Sequence, residues 1–412
     1  MDVITELQKK INIDRAVSFP NKKNEEYKYC DVEKLWNLGF LEEANYSSET
    51  LKTLINETKT KFLISDDSAL FIVVNGVPKF KLSQNIINAD FEFLDFNSAQ
   101  QKYPKQIETH FGKIANADSD PLLAINTANF TEGLFLKIKK NSVVQGSITI
   151  LNISISSTSF NCNSRQLIIA EENAEVTINE LFISEQSTKS FTNNVTEIAV
   201  EQNSKVNFIR LQDEKSNSNL LCSLSVITKK HSIFSDYLFT ISGSFVRNNT
   251  IIILSDSNTE AHLNGLYLLN ENQLVDNHTL VDHQKPNCYS NELYKGVMDG
   301  KSIGVFNGKI FVRKDAQKTN AYQSNKNILL SPNATINTKP QLEIYADDVK
   351  CSHGTSTGKL DETALFYLKS RGIGLENAQK LLLQAFVTEV YEKLPNQEFK
   401  DIIRNIIEDR FS

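Results

Sequence analysis

The sequence predicts a mainly β protein with α caps: a right-handed parallel β-helix, or solenoid, flanked by N-terminal and C-terminal helical domains. From about residue 130 to residue 346, short apolar runs rich in β-branched residues alternate with Asn, Ser, Gly and Asp, which is typical of many strands and tight turns. A polar turn recurs through this region at a near-constant spacing. Both ends of the chain instead carry apolar residues at helical spacing.

The recurring turn is clearest in two segments that lie 30 positions apart. Glu171–Ile178 (EENAEVTI) aligns with Glu201–Phe208 (EQNSKVNF), and weaker copies extend the series of turns to positions 141, 173, 203, 231 and 258. The spacing of roughly 27 to 32 residues lies in the range of solenoid repeats. So short a repeat cannot bury its own apolar face and has to stack on its neighbours. An antiparallel sandwich would also give many short strands, but it requires no fixed period, so the repeat favours a parallel β-helix.

Changes of pattern divide the chain into an α-rich N-terminal domain at residues 1–105, a β-helix core at 106–346 and a C-terminal helical domain at 347–412. In the last domain, apolar residues at helical spacing over 376–394 predict a long helix, and Pro395 separates it from a final amphipathic helix. We expect this tail to cap one end of the solenoid and to offer an apolar groove to a partner.

The N-terminal domain is expected to be a small α-rich cap. Charged amphipathic stretches at Glu25–Leu41 and Ser48–Lys61 predict helices, and an apolar segment at Phe62–Val74 predicts a strand pair. The turn at Asn75-Gly76, with Pro78 behind it, closes that pair.

Composition excludes several classes of protein. The formal net charge of −6 and the scattered Lys and Arg residues leave no basic field for nucleic acid. The N-terminus lacks the positive start and apolar run of a secretory signal, and no apolar stretch approaches the roughly eighteen residues needed to span a bilayer. We therefore expect a cytoplasmic protein with neither a nucleic-acid nor a membrane partner.

The cysteines argue against both a disulfide framework and a structural zinc site, because they are odd in number, widely spaced and contain no Cys-x-x-Cys pair. A cysteine that matters here is expected to act as a reduced thiol or thiolate. The five are Cys30, Cys162, Cys222, Cys288 and Cys351.

The most informative short segment is Cys351-Ser352-His353-Gly354, between the last predicted strands and the tail. Residues two apart on a strand point to the same face, so Cys351 and His353 can present a sulfur and an imidazole nitrogen together. Such a pair suits iron or another borderline metal. The alternative is a buried thiol beside a turn histidine, with no function beyond packing.

A second polar cluster runs from Asp276 to His283, with Cys288 behind it, and contains two histidines and two aspartates. It could ligate a metal if the imidazoles converged. His278 and His283 are an odd number of residues apart and would face opposite sides of a straight strand. We therefore favour a structural stack of polar groups at a turn.

Gly-x-Ser-x-Gly occurs at Gly300–Gly304 and at Gly354–Gly358, but in neither match does the Ser directly precede a predicted helix, as a hydrolase nucleophile does. The sequence contains no glycine-rich phosphate loop and no His-Glu-x-x-His, so it lacks the common nucleotide-binding and zinc-protease signatures. We predict that the chain is not an enzyme. A polysaccharide-acting β-helix enzyme is the alternative, and it would need paired carboxylates or Ca²⁺-binding acids along one solenoid face. The missing export signal and the free cysteines count against it.

Several segments closely resemble the SufB/SufD family of iron–sulfur cluster assembly proteins, and the resemblance spans nearly the whole chain. They are Phe19–Tyr29, with Tyr27 where a Trp is commoner, then Asp276–Gly296, Gly300–Val312, Gln323, Asn327–Ser331, Pro340–Gly354 and Phe366–Gly372. The match is strongest after about residue 260.

Within the family, Lys350–Gly354 resembles SufD more closely than SufB. Gly354 takes the position at which SufB has a Glu after its His. Ala334 stands roughly where SufB carries a cysteine implicated in cluster assembly.

The resemblance implies a non-enzymatic scaffold subunit that pairs with SufB through the ends of their β-helices, while its helical tail holds the ATPase SufC. Nucleotide-driven closure of two SufC copies would strain the SufB interface and expose buried ligands. His353 would then supply an interface ligand or help admit iron, with Cys351 as a second candidate. Iron or an iron–sulfur cluster would be held only transiently, and no tightly bound cofactor is expected. A homodimer formed by edge-to-edge strand pairing is the third hypothesis.

Overall fold

The computed structural model describes residues 5–6, 8–9, 19–20, 23–36, 45–185 and 189–411. The strands in these ranges are β1 Ala69–Val74, β2 Val77–Pro78, β3 Phe91–Asp95, β4 Gly133–Ile138, β5 Ile148–Ser154, β6 Phe160–Ala170, β7 Glu175–Ser184, β8 Ser190–Val200, β9 Lys205–Asp213, β10 Ser218–Thr228, β11 Ile233–Ser242, β12 Phe245–Leu254, β13 Glu260–Leu269, β14 Leu274–His283, β15 Tyr289–Met298, β16 Ile303–Val312, β17 Asn320–Leu329, β18 Thr335–Ile344 and β19 Lys350–Gly358.

The helices in the same ranges lie at the two ends of the chain and on the outer faces of the sheets. They are α1 Val32–Trp36, α2 Ser48–Lys61, α3 Phe96–Lys102, α4 Pro104–His110, α5 Pro121–Asn129, α6 Glu362–Ser370, α7 Leu375–Tyr391 and α8 Gln397–Arg410. Among these described helices, none is both long enough and apolar enough to cross a membrane.

The body of the molecule is a parallel β-helix, which confirms the predicted fold. From β4 to β19 the chain alternates between two sheets, and each strand pairs in parallel with the next strand of its own sheet. Two strands complete one turn of the coil, so these strands make about eight turns. The first sheet ends at β19 and the second at β18.

The predicted turns are confirmed, because each of them places one residue in the left-handed backbone region. The residues are Asn141, Asn173, Asn203, His231 and Asn258, with φ between 59° and 62°, and the series continues at Asn287 and Lys318. Asn tolerates this conformation better than most residues with a side chain. The side chains also join successive coils, since Asn203 Nδ2 donates to Asn173 Oδ1 at 3.0 Å and Asn173 Nδ2 donates to Asn141 Oδ1 at 2.7 Å.

Alternate residues of each strand point into the lumen of the coil or outward beneath the helices. On β9, Val206 and Phe208 belong to the apolar cluster that fills the lumen. Ile209 and Leu211 belong to the cluster that the outer face of the first sheet shares with α2, α7 and α8. The outer face of the second sheet packs against α3 and α4 in the same way. Where these helices pack, both faces of the sheets are thus covered, as is usual for parallel strands.

The N-terminal region contributes strands to both sheets. β1 pairs in parallel with β5, and β3 pairs antiparallel with β4. The hairpin predicted at Asn75-Gly76 forms between β1 and β2, with both turn residues at positive φ, although its first strand starts at Ala69. The predicted helix at Ser48–Lys61 is α2.

Part of the predicted N-terminal organisation lies outside the described residues. In the stretch Glu25–Leu41, the structure describes a 3₁₀ turn at Glu25–Tyr27 and helix α1, while positions 37–41 lie outside the described residues. Positions 21 and 22 of the Phe19–Tyr29 segment also lie outside them.

The C-terminal tail begins after the last strand. β19 lies past position 346, at which the sequence placed the end of the coil, and the first tail helix starts at Glu362. The long helix predicted over 376–394 is α7, and the amphipathic helix predicted after Pro395 is α8. Both helices contribute to the apolar cluster on the outer face of the first sheet, and α7 packs next to β13 and β15.

Candidate functional site at the open end of the coil

The coil ends at β18 and β19, and the described ranges contain no strand beyond them. β18 is half-buried along most of its length. β19 is exposed at every position except Cys351, which is half-buried. An edge strand presents unpaired backbone N–H and C=O groups that a strand of another chain can pair with. This end of the coil, formed by β18 and β19, is called the mouth below.

The lumen opens at the mouth. In the parallel register, alternate residues of β19 stand beside buried residues of β17, in the pairs Cys351 with Ala321, His353 with Gln323 and Thr355 with Asn325. Neighbours in an in-register parallel ladder point to the same face. Across the mouth, Thr355 Oγ1 donates to Thr338 Oγ1 of β18 at 3.4 Å. The two edge strands therefore face each other across a lumen that no further strand of the described ranges covers.

The structure places both predicted ligands on β19, two positions apart and in lumen-facing rows. Burial raises the pKa of the Cys351 thiol, which packs against the apolar cluster around Ala321 and Ala346. His353 is exposed. Within the described part of the chain, no three His, Cys, Asp or Glu side chains converge as a metal site. A ligand role for either residue stays a prediction.

The polar cluster at 276–283 lies along the straight strand β14, so the expectation of a turn there was wrong. The predicted divergence of its histidines is confirmed. His283 Nε2 contacts Ser290 Oγ at 2.9 Å inside the coil, and burial lowers its pKa to about 4. His278 lies on the outer face, where Nδ1 contacts Glu26 Oε2 at 3.0 Å and Nε2 contacts Asp276 Oδ1 at 2.8 Å. The two imidazoles do not form one site.

The outer network around His278 joins the N-terminal segment to the coil. Arg247 Nη1 donates to Asp276 Oδ2 at 2.5 Å, and its guanidinium lies 4.2 Å from the centre of the Tyr27 ring. Burial opposes ionisation of Asp276, but Arg247 and His278 outweigh it and lower the pKa of that carboxyl. Burial alone would lower the pKa of His278, but Asp276 and Glu26 outweigh that effect and raise this pKa. These charged contacts hold the N-terminal segment at Glu26 and Tyr27 against the outer face of the coil.

The lumen itself contains polar groups that the sequence analysis did not identify. Arg210 donates to Asp236 through Nε at 3.0 Å and through Nη2 at 2.5 Å, and both side chains are buried. Burial raises the pKa of three enclosed carboxyl groups, those of Glu180, Glu214 and Glu292, to about 7. The sequence did contain a signal for the buried Arg210. On β9 it lies two positions after Phe208, so the alternation of inward-facing residues places it in the lumen.

The buried carboxyl groups make stability depend on pH. In the folded chain each holds its proton up to about pH 7, whereas an exposed Glu releases it near 4.5. Between these values the folded state binds more protons than the unfolded state, so the free energy of unfolding falls as the pH rises. We expect Glu180→Gln to weaken this dependence and to stabilise the chain at pH 8 by up to about 3 kcal/mol.

The measurement for Glu180→Gln is urea unfolding at pH 5, 6, 7 and 8. The substitution is nearly isosteric, and Gln166 Nε2 keeps an acceptor at the position where it now contacts Glu180 Oε1 at 2.8 Å. Glu57→Gln, on the exposed side of α2, is the control and should leave the pH profile unchanged. A profile for Glu180→Gln that parallels the wild type would contradict the prediction.

The C-terminal helices present a second exposed surface. Phe366 and Tyr367 on α6 are 74% and 56% exposed, and Leu375 and Leu381 on α7 are 49% and 45% exposed. The opposite side of α7, at Val387 and Val390, is buried against the coil. An exposed run of large apolar side chains of this kind is typical of a protein interface.

Comparison with known proteins matches two family descriptions to this chain. Residues 153–386 match the SufBD core domain of SUF-system FeS cluster assembly proteins, and residues 8–150 match the SufBD protein N-terminal region. The iron–sulfur cluster assembly protein SufD of Escherichia coli is 28% identical over 384 residues, which cover 92% of this chain and 86% of that protein.

Two further relatives cover the chain almost completely. An iron–sulfur cluster assembly SufBD family protein of Synechocystis is 27% identical over 96% of this chain and 88% of its own length. The SufD protein of Bacillus subtilis is 25% identical over 96% of this chain and 91% of its own length.

Proposed function

Because the chain belongs to the SufBD family of iron–sulfur cluster assembly proteins, we propose that it works as a non-enzymatic, SufD-type scaffold subunit in the cytoplasm. In this proposal it pairs with a SufB-type chain at the mouth and holds a SufC-type ATPase on its C-terminal helices. Iron is the cargo, and it passes transiently through the interface during assembly of a cluster.

The observation that carries the proposal is the mouth. Two adjacent edge strands leave their backbone groups available for pairing, and no strand of the described residues covers the lumen between them. A second coil stacked on this end would continue both sheets and bury β19. His353 and Cys351 would then lie at the seam between two chains rather than on a free surface. A seam of this kind lets a ligand be buried or exposed as the chains move.

His353 is the better of the two candidate ligands for iron. Its imidazole is exposed at the mouth, so a metal can reach a ring nitrogen without rearrangement of the coil. The Cys351 thiol is half-buried against apolar side chains, and its raised pKa disfavours the thiolate that metal binding requires. We assign Cys351 a secondary role that depends on opening of the seam. The partner chain would supply the remaining ligands.

The exposed surface of α6 and α7 supports docking of the ATPase. Phe366 and Tyr367 are large aromatic side chains that the tail leaves exposed. Aromatic residues of this kind commonly provide much of the energy of an interface. Docking at the tail would leave the mouth free for the other partner, so both could bind at once.

Replacing His353 with Ala is expected to lower the iron and acid-labile sulfide content of the purified, anaerobically reconstituted complex by at least about tenfold, because a ligand is lost at the seam. Both contents are measured per complex after confirmation that the partner chains remain bound. Ser352→Ala, on the opposite face of β19, is the matched control and should change neither content. Unchanged iron and sulfide in an intact His353→Ala complex would remove this residue from the mechanism.

Replacing Phe366 with Glu is expected to weaken binding of the ATPase about thirtyfold, the effect typical of losing a central aromatic anchor. The measurement is titration of the isolated chain with the ATPase subunit by calorimetry. Ile87→Glu places the same charge on another exposed apolar residue, 64% exposed and far from the tail in sequence, and should have no effect. Equal binding by the Phe366→Glu variant would place the ATPase elsewhere.

A further inference from the structure

A buried amide lies directly beneath His353. Gln323 is the neighbour of His353 in the ladder between β17 and β19, and its side chain is buried. Adjacent strands in a sheet lie about 4.8 Å apart, so a glutamine side chain on one can reach an imidazole on the next. Among the described residues, Gln323 Oε1 is buried and has no hydrogen-bond partner.

Two neighbours fix the orientation of this amide. Gln323 Nε2 donates to Glu292 Oε2 at 2.8 Å, which points the amide nitrogen deeper into the lumen and leaves the carbonyl oxygen as the free end. Gly308, across the lumen, provides the space, because a Cβ at that position would lie 2.5 Å from Gln323 Nε2. The side chain is therefore held in place before anything binds at the mouth.

We propose that Gln323 is the positioning residue for His353, accepting a hydrogen bond through Oε1 from the imidazole N–H when the other ring nitrogen binds iron. Metal-bound histidines in proteins almost always donate their second ring N–H to such an acceptor, which fixes the tautomer and the orientation of the ring. The unpartnered oxygen of Gln323 is an acceptor of this type, one ladder step from the ligand. The inference rests on the proposed ligand role of His353.

The hydrogen bond gives the buried oxygen of Gln323 the partner that it lacks among the described residues. A buried carbonyl without a partner is unfavourable, so its pairing with the imidazole favours the ring orientation that presents the free nitrogen to the metal. Glu292 acts through Gln323 and not on the metal, because it lies two ladder steps from His353. The row Glu292, Gln323 and His353 thus connects the lumen to the mouth.

The test is the affinity of the assembled complex for Fe²⁺, measured by anaerobic titration. Gln323→Met keeps the size of the side chain but removes the acceptor, and we expect it to weaken Fe²⁺ binding by about 10- to 100-fold. Gln323→Glu retains an acceptor oxygen and is expected to restore most of that affinity. Loss with Met and rescue with Glu is the pattern that a packing role would not produce.

The chain offers a matched control at the other end of the lumen. Gln166 is also buried, donates through Nε2 to a buried glutamate, Glu180, at 2.8 Å, and has an unpartnered Oε1, but it does not neighbour a histidine in the ladder. Gln166→Met should destabilise the chain to a similar extent while leaving Fe²⁺ affinity unchanged. Equal Fe²⁺ affinities for Gln323→Met and Gln166→Met would overturn the inference.

The same titration on His353→Ala distinguishes the ligand role of His353 from the positioning role of Gln323. If His353→Ala weakens Fe²⁺ binding and Gln323→Met does not, the positioning role is wrong and the ligand role survives. If His353→Ala leaves Fe²⁺ affinity unchanged, the ligand role fails, and the positioning role fails with it. Failure of Gln323→Glu to restore binding in a stably folded complex also counts against Gln323 as an acceptor.

Discussion

Replacing Asp236 with Ala is expected to destabilise the chain by about 3–5 kcal/mol, because it leaves the Arg210 charge unpaired inside the lumen. The guanidinium now forms two hydrogen bonds with the carboxylate and one with Thr250 Oγ1, at 3.0 Å, and neither charged side chain reaches solvent. Urea unfolding followed by far-UV circular dichroism measures the loss. A change below about 1 kcal/mol would mean that water or another group reaches Arg210.

A double variant tests whether the charge itself is the cause. Arg210→Met combined with Asp236→Leu removes both charges and keeps apolar volume in the lumen, and we expect it to recover most of the stability lost in Asp236→Ala. Such recovery would indicate that the ion pair is not needed for stability. A double variant as unstable as Asp236→Ala would instead point to a loss of shape or of the bond to Thr250.

Placing two lysines in the mouth is expected to weaken partner binding by more than about 100-fold, because closure of the seam would bury two like charges next to each other. The variant is Thr338→Lys with Thr355→Lys, at the two threonines that contact each other across the open lumen. Both positions retain solvent access in the free chain, so the fold should be kept. Binding is measured by light scattering and calorimetry with the SufB-type partner.

The control for the mouth variant is Thr53→Lys with Thr60→Lys, which adds the same charge to exposed positions of α2. It should bind the partner as the wild type does. The scattering measurement also covers the homodimer hypothesis, since self-association through the mouth would be lost in the same variant. Partner binding that is unaffected by the two lysines would place the interface away from β18 and β19.

The repeat was predictable from the sequence because its signal is local. Each turn needs one residue that accepts the left-handed backbone region, and asparagine marks four of the five turns predicted from the series. The alternation of β-branched residues between turns identified strands that stack. The face of the sheet on which a strand residue lies was also predictable from its position. His278 and His283 lie on opposite faces, as their odd spacing requires.

The lateral neighbours of each residue were not predictable. Glu26 contacts His278 across 252 positions, and nothing in either segment indicates the other. Asp236 pairs with Arg210 across 26 positions and Gln323 with Glu292 across 31. The number of residues per turn varies along the coil, so a spacing near 30 does not fix which residues stand side by side.

The amino-acid sequence alone determined a β-helix with helical ends, the positions of its turns and the placement of Cys351 and His353 two apart on one strand. Stacking of the coils added the uncovered mouth, the exposure of His353, the buried ion pair and the amide beneath the imidazole. The difference has a physical origin: turns and strand faces depend on backbone preferences within a few residues, whereas register, burial and edges arise only when whole turns pack against one another.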